Sequence, residues 1–277
     1  MVTDKAPALA GSPSALIRQR SAPSSGYRLR LMSYNIQTGI ATSRYGHYVT
    51  RGWRHVLPHA GRFPNLEAIA GLASGFDIVG LQELDPGSFR SGFINQTGYL
   101  AEHADFPYWH SQTNRRIGRL VRHSNGILSR YRPIAIREHK LPGVIPGRGA
   151  IVLQLGGPAE SLHVILVHLA LGRGTRLRQL AYIAELINSL QHVIVMGDFN
   201  CHSRSKELTL LRARTNLSEP VHDLHTYPSW RPQRNIDHIL VSRTLAVREA
   251  AVLDYALSDH LPVTMEVDLP PGIELVP

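Results

Sequence analysis

The stretch VIVMGDFN, residues 193–200, joins a short apolar run to a glycine, a carboxylate and an amide. The apolar residues predict a buried β-strand that ends where Gly197 begins a turn. Asp198 and Asn200 are separated by one residue, so both point to the same side of an extended chain. Aspartate and asparagine are common at strand ends because they hydrogen-bond their own backbone. The stretch alone therefore leaves a structural turn and a functional site about equally open.

Similar short apolar runs recur on both sides of this stretch. Two of them are joined by a short turn, which favours antiparallel pairing. The predicted strands cover residues 27–35, 77–84, 123–130, 148–155, 162–169, 192–198, 235–242, 247–255 and 262–269.

Two amphipathic segments, residues 63–74 and 175–190, are predicted to be helices. The second segment places five apolar residues on one face, namely Leu180, Ile183, Ala184, Ile187 and Leu190. Helices that alternate irregularly with strands of a mixed sheet pack outside that sheet. The fold class expected from this pattern is a layered α/β fold.

The charge of the chain bears on its partners. Lys and Arg number 30 against 21 acidic residues, which gives a formal net charge of +9. A basic surface favours anionic partners such as nucleic acid, phosphate esters or lipid head groups. No uncharged run reaches the length of a membrane span, so no transmembrane segment is expected. The sequence does not indicate an oligomeric state.

The single cysteine, Cys201, excludes an internal disulfide and a multi-cysteine metal site. It fits a reducing compartment, so a cytoplasmic location is expected, with Cys201 as a small buried apolar residue. Residues 1–26 are rich in Ala, Ser and Pro and lack the apolar core of a secretion signal, which predicts a disordered tail. Nothing divides residues 27–277, so one domain is expected there.

Acidic, amide and imidazole side chains recur where the apolar strands end. A single residue of this sort is routine, but a set of acids, amides and imidazoles exceeds what turn chemistry requires. If the strand ends converge, they form a carboxylate-rich cleft suited to a hard divalent cation and a phosphate ester. The residues are Asn35, Glu83, His168, Asp198, Asn200, Asp237, Asp259 and His260.

Seven short motifs resemble, in their order along the chain, those of the endonuclease/exonuclease/phosphatase superfamily. They are SYNIQTG, VGLQELD, NGILSR, VHLAL, MGDFN, NIDHILVS and LSDHLPV. The resemblance runs from about residue 28 to 268 and implies a DNase I-like fold over the domain at 27–277. That fold is a four-layer sandwich, in which two packed, mostly antiparallel β-sheets are flanked by helices and the site lies at one end.

The resemblance implies a metal site for Mg²⁺, with Mn²⁺ as a possible substitute. Glu83 matches the family's Mg²⁺ carboxylate, and Asn35 matches the amide beside the same ion. Asp259 resembles an additional ligand of the metal or of its water. Oxygen donors of this kind suit Mg²⁺, which keeps several waters and substrate oxygens in its shell.

The resemblance also implies the catalytic roles. Asp198 matches the residue that orients and deprotonates the attacking water, and Asn200 matches the one that holds water or phosphate nearby. His260 matches the histidine that hydrogen-bonds a phosphoryl oxygen, and Asp237 the carboxylate that fixes its tautomer and keeps it cationic.

Two further residues match family positions and also have structural alternatives. His168 stands where DNase I-like members carry a histidine that assists the leaving group, although most isolated histidines are structural. Asn125 matches an asparagine near the phosphate and could equally cap a strand end.

Other enzyme classes lack their required residues. The chain contains no G-x-S-x-G, no Walker A loop and no G-x-G-x-x-G. His222 and His225 are spaced like metal ligands, but no further cluster supports zinc. A non-catalytic phosphate-binding module remains the alternative outside enzymology.

The expected reaction is hydrolysis of a phosphodiester, with nucleic acid as the leading substrate. Two stretches, 114–123 and 226–234, mix arginines with aromatic or apolar residues, which suits phosphate backbones and stacked bases. A solvated basic face is an equally open interpretation of each stretch taken singly. A phospholipid or sphingomyelin-type head group at a membrane surface is the alternative, as is a phosphomonoester. The three tryptophans, Trp53, Trp109 and Trp230, could lie at such an interface, but burial in the core is the expectation.

Overall fold

The computed structural model describes residues 27–40, 57–58, 61–118, 120–143, 147–158 and 160–277. Residues 1–26 and Trp53, about which the sequence makes predictions, lie outside these ranges. In the described residues the strands are β1 (Arg28–Asn35), β2 (Ile78–Leu84), β3 (Tyr108–Ile117), β4 (Val121–Ser129), β5 (Ala135–Lys140), β6 (Gly149–Gly156), β7 (Ser161–His168), β8 (His192–Asp198), β9 (Leu217–Ser218), β10 (Asp237–Ser242), β11 (Ala246–Val252) and β12 (Val263–Asp268).

The α-helices of the described residues are α1 (Arg62–Ala73), α2 (Gln96–His103), α3 (Arg173–Ile187) and α4 (Lys206–Arg214). Two of them begin at a side-chain cap that satisfies free backbone N–H groups. Asn95 accepts from the N–H groups of Thr97 and Gly98 at the start of α2, and Ser205 accepts from that of Leu208 in α4. None of these helices combines the length and apolarity that crossing a bilayer requires.

The strands form two six-stranded sheets, in the orders β11-β12-β1-β2-β4-β3 and β5-β6-β7-β8-β10-β9. Pairing is parallel between β1 and β2 and between β7 and β8. The other pairs are antiparallel, including β6 with β7, as the sequence predicts. Both parallel pairs lie inside their sheets. The carboxyl ends of β1 and β2 therefore lie together in the first sheet, and those of β7 and β8 lie together in the second. All four ends reach the same end of the molecule.

Three apolar clusters account for a four-layer arrangement. The central cluster joins the inner faces of the two sheets, for example Leu31 and Met265 of the first sheet with Leu166 and Met196 of the second. The second cluster packs α3 and α4 on the outer face of the second sheet, and the third packs α1 and α2 on that of the first. The sandwich expected from the sequence is therefore confirmed.

Three sequence expectations about burial have different outcomes. Cys201 is buried, as expected, among apolar residues of the second cluster. Trp109 is 44% exposed, so its assignment to the core was wrong. The reason is that Trp109 lies on β3, the edge strand of the first sheet, where only one strand covers it. Leu190 lies beyond the end of α3 and is only partly buried, unlike the other four apolar residues of that face.

Candidate active site

The polar residues singled out in the sequence collect at one end of the sandwich. Asn35, His168 and Asp198 are the last residues of β1, β7 and β8. Glu83 is the penultimate residue of β2, and Asp237 is the first of β10. Asp259 and His260 lie in the turn that leads into β12. The strand directions described above therefore place all of these residues at the same end of the sandwich.

Strand register aligns three of these residues across the second sheet. His168 pairs with Asp198 in the parallel register of β7 and β8, and Asp237 pairs with Asp198 across β8 and β10. Side chains at directly paired positions stand on the same face of a sheet. The row His168–Asp198–Asp237 is thus a consequence of backbone pairing.

Asp198 is buried at the centre of this row. Its Oδ2 lies 3.2 Å from Nδ2 of Asn35, which donates to it, and 3.4 Å from Nε2 of His168. Its Oδ1 accepts the backbone N–H of Asn200 at 2.9 Å, an Asx turn. Burial, followed by the negative charge of Asp237, raises the pKa of Asp198 to about 7. A carboxylate in this position is poised to accept a proton near neutral pH.

Asp237 and His260 form a buried pair beside Asp198. His260 Nδ1 donates to Asp237 Oδ2 at 2.8 Å, and the Thr226 hydroxyl donates to the same oxygen. The ring of Tyr227 lies 4.9 Å, centroid to centroid, from that of His260. Burial alone would lower the pKa of His260, but the charge and hydrogen bond of Asp237 raise it well above its ordinary value. His260 is therefore a cation at neutral pH.

Glu83 stands at a break in the first sheet. The pairing of β2 with β4 shifts register between Leu81 and Leu84, which forms a bulge, and Glu83 has a φ of +58°. Such backbone is costly for a residue with a side chain and recurs at functional sites. The Glu83 side chain is 34% exposed, and its Oε1 lies 4.0 Å from Nε2 of His168. Burial, followed by the charge of Asp259, raises the pKa of Glu83, and a hydrogen bond with Asn35 opposes the shift.

Gln37 connects two residues of the predicted metal site. Its side-chain amide donates to Asp259 Oδ2 at 3.2 Å, and its backbone N–H donates to Asn35 Oδ1 at 3.2 Å. The hydroxyl of Ser258 donates to the other oxygen of Asp259. Gln37 adopts a φ of +45°. Sequence reasoning missed this residue, although it lies two positions after Asn35 in the same motif.

Two predicted residues use their side-chain amides to hold backbone. Asn125 is buried in β4, and its amide donates to the carbonyl of Gly149 at 3.4 Å. The Asn200 amide donates to the carbonyl of Leu169 at 3.0 Å, which fixes the turn that follows Asp198. Both side chains therefore bond backbone carbonyls, and Asn125 lies in the middle of β4 rather than at its end.

Arg148 is a second residue that sequence reasoning missed. It precedes β6, immediately before the Gly149 that Asn125 contacts. Burial lowers its pKa, whereas the nearby charges of Asp198 and Glu83 oppose that change. Burial, followed by the charge of Arg148, also lowers the pKa of His168 well below its ordinary value, so that imidazole is neutral. A lone arginine before a strand gives no sequence signal of this position.

The donor set fits a hard divalent cation. Asp198 and Asp237 offer carboxylate oxygens within 4.8 Å of each other, and Glu83 and Asp259 act on each other electrostatically. Oδ1 of Asp237 is buried without a hydrogen-bond partner among the described residues. Burial, and after it the charges of neighbouring carboxylates, raises the pKa values of Glu83 and Asp198, and a bound cation would oppose both shifts.

Comparisons with known proteins agree with this fold. The uncharacterized protein YbhP of Escherichia coli K12 is 33% identical over 162 residues, which are 53% of this chain and 63% of the length of YbhP. A mannosyl-6-phosphatase of Bacteroides thetaiotaomicron superimposes with a TM-score of 0.66 at 19% identity, over 86% of this chain and 99% of that one. ANGEL2, a 2',3'-cyclic phosphatase, gives a TM-score of 0.65 at 16% identity, over 88% and 96%.

The matches to solved structures are below the identity at which function can be compared, so they establish the fold alone. The model of the Endonuclease/Exonuclease/phosphatase family matches residues 32–260, a range that includes each of the clustered site residues. The chain thus belongs to the endonuclease/exonuclease/phosphatase family.

Proposed function

We propose that this protein hydrolyses phosphodiesters with the help of Mg²⁺. The observation that carries the proposal is the position of Asp198, a buried carboxylate with a raised pKa. It has Asn35 and Glu83 on one side and the Asp237–His260 pair on the other. A proton acceptor between a cation-binding edge and a fixed positive charge is the arrangement that hydrolysis of a phosphate ester requires.

Asp198 acts as the general base in this proposal. A water beside its carboxylate gives up a proton as the water oxygen attacks phosphorus, and the bond from phosphorus to the leaving oxygen breaks. The amide of Asn35 and the N–H of Asn200 hold the two carboxylate oxygens in place. Positioning of this kind lowers the barrier because the reacting groups need no further reorientation.

His260 stabilises the charge that grows on phosphate. Its Nδ1–H is bound to Asp237, which leaves the Nε2–H to donate to a phosphoryl oxygen. Removing one such donor typically costs a factor of about 10² to 10³ in rate. The Asp237 contact keeps the imidazole charged and correctly oriented.

Glu83, Asn35 and Asp259 are the residues that would hold the metal ion, which when bound supplies positive charge to the phosphate oxygens. Oxygen ligands without thiolates favour Mg²⁺ or Mn²⁺ over softer metals. The amide oxygen of Asn35 already accepts one hydrogen bond from Gln37 and has a second lone pair for the ion.

His168 favours a diester over a monoester as substrate. It lies between Glu83 and Asp198, and its imidazole is neutral. A neutral imidazole N–H can hydrogen-bond the leaving alkoxide without repelling the nearby cation. That assistance matters most when the leaving group is a sugar or glycerol oxygen with a high pKa.

Nucleic acid is the first candidate substrate because cationic residues lie on two sides of the cleft. Arg148 acts electrostatically on Asp198 and Glu83. On the other side, exposed Arg231 and Arg234 belong to the loop that carries Tyr227 onto His260. A positive rim attracts a polyanion, and the aromatic ring offers a face for a base.

A phospholipid head-group diester is the second candidate. It is favoured by exposed apolar side chains at Phe89, Phe93 and Leu120, which a nuclease acting in solution does not need. The names of the two structural neighbours add phosphomonoesters and cyclic phosphates to the substrates worth testing.

A panel of substrates tests the proposal. Single- and double-stranded DNA, RNA, abasic DNA, anionic phospholipids, sphingomyelin, a sugar phosphate and a cyclic nucleotide are each assayed with Mg²⁺ at low and moderate salt. Asp198→Ala protein is the control for contaminating activity. Cleavage of nucleic acid that weakens steeply with salt supports the first candidate. Cleavage of lipid head groups alone replaces it with the second, and no cleavage of any diester refutes the proposal.

A further inference from the structure

Three large apolar side chains lie on two neighbouring surface segments, one of which follows β2, the strand that carries Glu83. Phe93 is 68% exposed, Leu120 is 53% exposed and Phe89 is 39% exposed. Phe89 and Phe93 belong to the loop between β2 and α2, whereas Leu120 belongs to the turn between β3 and β4. We call these three residues the apolar tip.

Direct contacts join the two segments of the apolar tip. The rings of Phe89 and Phe93 meet edge to face with centroids 6.2 Å apart. The backbone N–H of Arg90 donates to the carbonyl of Leu120 at 3.3 Å, and its guanidinium donates to the carbonyl of Arg122. Arg90 itself is buried against Asp85. The tip is thus a single surface built on a rigid buried ion pair.

Phe93 is unfavourable in the isolated fold for two reasons, its exposure and its backbone conformation. It is the most exposed residue of the tip, and its φ is +65°, a left-handed conformation that disfavours a bulky side chain. Glycine or asparagine would relieve the strain, and a polar residue would remove the exposed apolar surface. A phenylalanine here is explained by a partner that buries it.

The tip is flanked by positive charge. Arg115 and Arg116 are exposed on β3, and half-buried Arg122 on β4 pairs with Arg116, whereas Arg115 pairs with His123. Residues 86–95 and 108–123 contain no aspartate or glutamate. Among the residues that the structure describes, no carboxylate lies within ion-pair distance of these three arginines. Apolar side chains beside arginines that have no carboxylate partner among the described residues match the chemistry of a bilayer surface that contains anionic lipid.

The cationic strip continues from the tip into the cleft. The stem of Arg115 lies against Gly147, next to Arg148. His123, which pairs with Arg115 in the sheet, is affected by the charges of both Arg115 and Arg148. Arg148 in turn acts on Glu83 and Asp198. A surface docked at the tip would therefore face the open side of the site.

We propose that the apolar tip docks the protein on anionic phospholipid membranes, with Phe93 and Leu120 entering the interface and the paired Arg116 and Arg122 contacting lipid phosphates. The apolar contribution distinguishes this partner from a polynucleotide phosphate backbone, which offers no surface for Leu120. The inference goes beyond the proposed hydrolysis and holds whichever diester the cleft accepts.

Vesicle binding tests the docking surface. Metal-free protein with EDTA is co-sedimented with phosphatidylcholine vesicles that contain or lack phosphatidylglycerol. We expect binding to the anionic vesicles only, and Phe93→Asn and Leu120→Ser should each weaken it about tenfold. Phe93→Asn suits the left-handed backbone, so its fold is not at risk. Leu210→Ser is the matched control, because Leu210 is 46% exposed on α4, away from the tip.

Three outcomes would overturn the inference. The first is failure to bind anionic vesicles, and the second is binding that Phe93→Asn and Leu120→Ser leave unchanged. The third concerns a protein that does not bind vesicles at all. In that case Phe93→Asn and Leu120→Ser would instead abolish binding of a single-stranded oligonucleotide or formation of a dimer. Hydrolysis of a soluble aryl phosphodiester should be equal in wild type, Phe93→Asn and Leu210→Ser. If that hydrolysis is absent throughout, the proposed function fails while the docking surface stands or falls on the vesicle result.

Discussion

Asp237 lies directly opposite Asp198 in the register of β8 and β10, and both carboxylates are buried. Two acids this close repel each other, so their surroundings must differ for both to be useful. Asp237 accepts from His260 and Thr226, which ties its charge to a cation. Asp198 accepts from the neutral amide of Asn35 and the N–H of Asn200, and its pKa rises. The sheet register thus separates one acid that orients a histidine from one that takes a proton.

Replacing either side of this arrangement should stop hydrolysis. We expect Asp198→Ala and His260→Ala each to lower kcat by about 10³ or more, while the fold survives. Asp254→Ala is a suitable control because that carboxylate is exposed and outside the site. Turnover is measured on a soluble diester, and circular dichroism reports the fold. Near-normal turnover in both folded variants would refute the assigned roles.

The metal proposal predicts a specific defect at Glu83. Wild-type protein should lose activity in EDTA and regain it with Mg²⁺ or Mn²⁺. Glu83→Gln keeps the shape of the side chain but removes the charge that attracts the ion, so the Mg²⁺ concentration for half-maximal activity should rise at least tenfold. Calorimetric titration of Mg²⁺ gives a second readout that does not depend on turnover. Full activity of metal-stripped protein without added metal would exclude the proposal.

A buried network behind the site should make stability depend on acid. Glu219 accepts from Ser203 at 2.7 Å, from His238 at 2.8 Å and from Arg212 at 2.8 Å. Burial alone would raise the pKa of Glu219, but His238 foremost, then the hydrogen bond from Ser203 and the charge of His222, lower it to about 2. Since the folded pKa lies below the unfolded one, the stabilisation is complete above the ordinary pKa of 4.5 and is lost as the pH falls toward 2. A shift of this size corresponds to about 3 kcal/mol.

Urea unfolding from pH 7 to pH 2 measures this dependence. Glu219→Gln should be less stable than wild type at neutral pH, and the gap should narrow as the pH falls below the ordinary glutamate pKa. Glu249→Gln, at an exposed position of β11, should leave the pH dependence unchanged. A gap that stays constant down to pH 2 would show that the network is not the source.

The sequence predicted the buried strands well because strands that pack in the three apolar clusters need continuous apolar runs. β8 is buried along its whole length, and its predicted bounds match those observed. β3 was missed, since an edge strand with exposed Arg115 and Arg116 lacks the alternation of a strand between two layers. The stretch 114–123 was treated as a basic segment, and the structure places it in the β3–β4 hairpin.

The residues of the site likewise divide into those that the sequence indicated and those that it did not. Asn35, Glu83, Asp198, Asp237 and His260 were recognisable because each ends or borders an apolar strand within a short motif. Gln37 and Arg148 were not, because their positions depend on a left-handed turn and on a loop before β6. Such features arise from tertiary contacts that no local pattern encodes.

Gly197 provides the last test of how backbone pairing builds the site. Its φ is +143°, and a Cβ there would lie 1.9 Å from the carbonyl oxygen of Val167 on β7. Ala at this position must push β7 and β8 apart one residue before the His168–Asp198 pair, whose atoms are 3.4 Å apart. We expect Gly197→Ala to cost roughly 3 kcal/mol or more in unfolding free energy. The protein that still folds should turn over diesters far more slowly.

Gly71→Ala is the matched control for that substitution. Gly71 lies within α1, and a Cβ there meets nothing within 4 Å. The better helix propensity of alanine should leave stability unchanged or raise it by up to about 1 kcal/mol, with normal activity. Urea unfolding and turnover are measured on both variants. If Gly197→Ala matched wild type in both, the close approach of β7 and β8 at this glycine would not be what aligns His168 with Asp198.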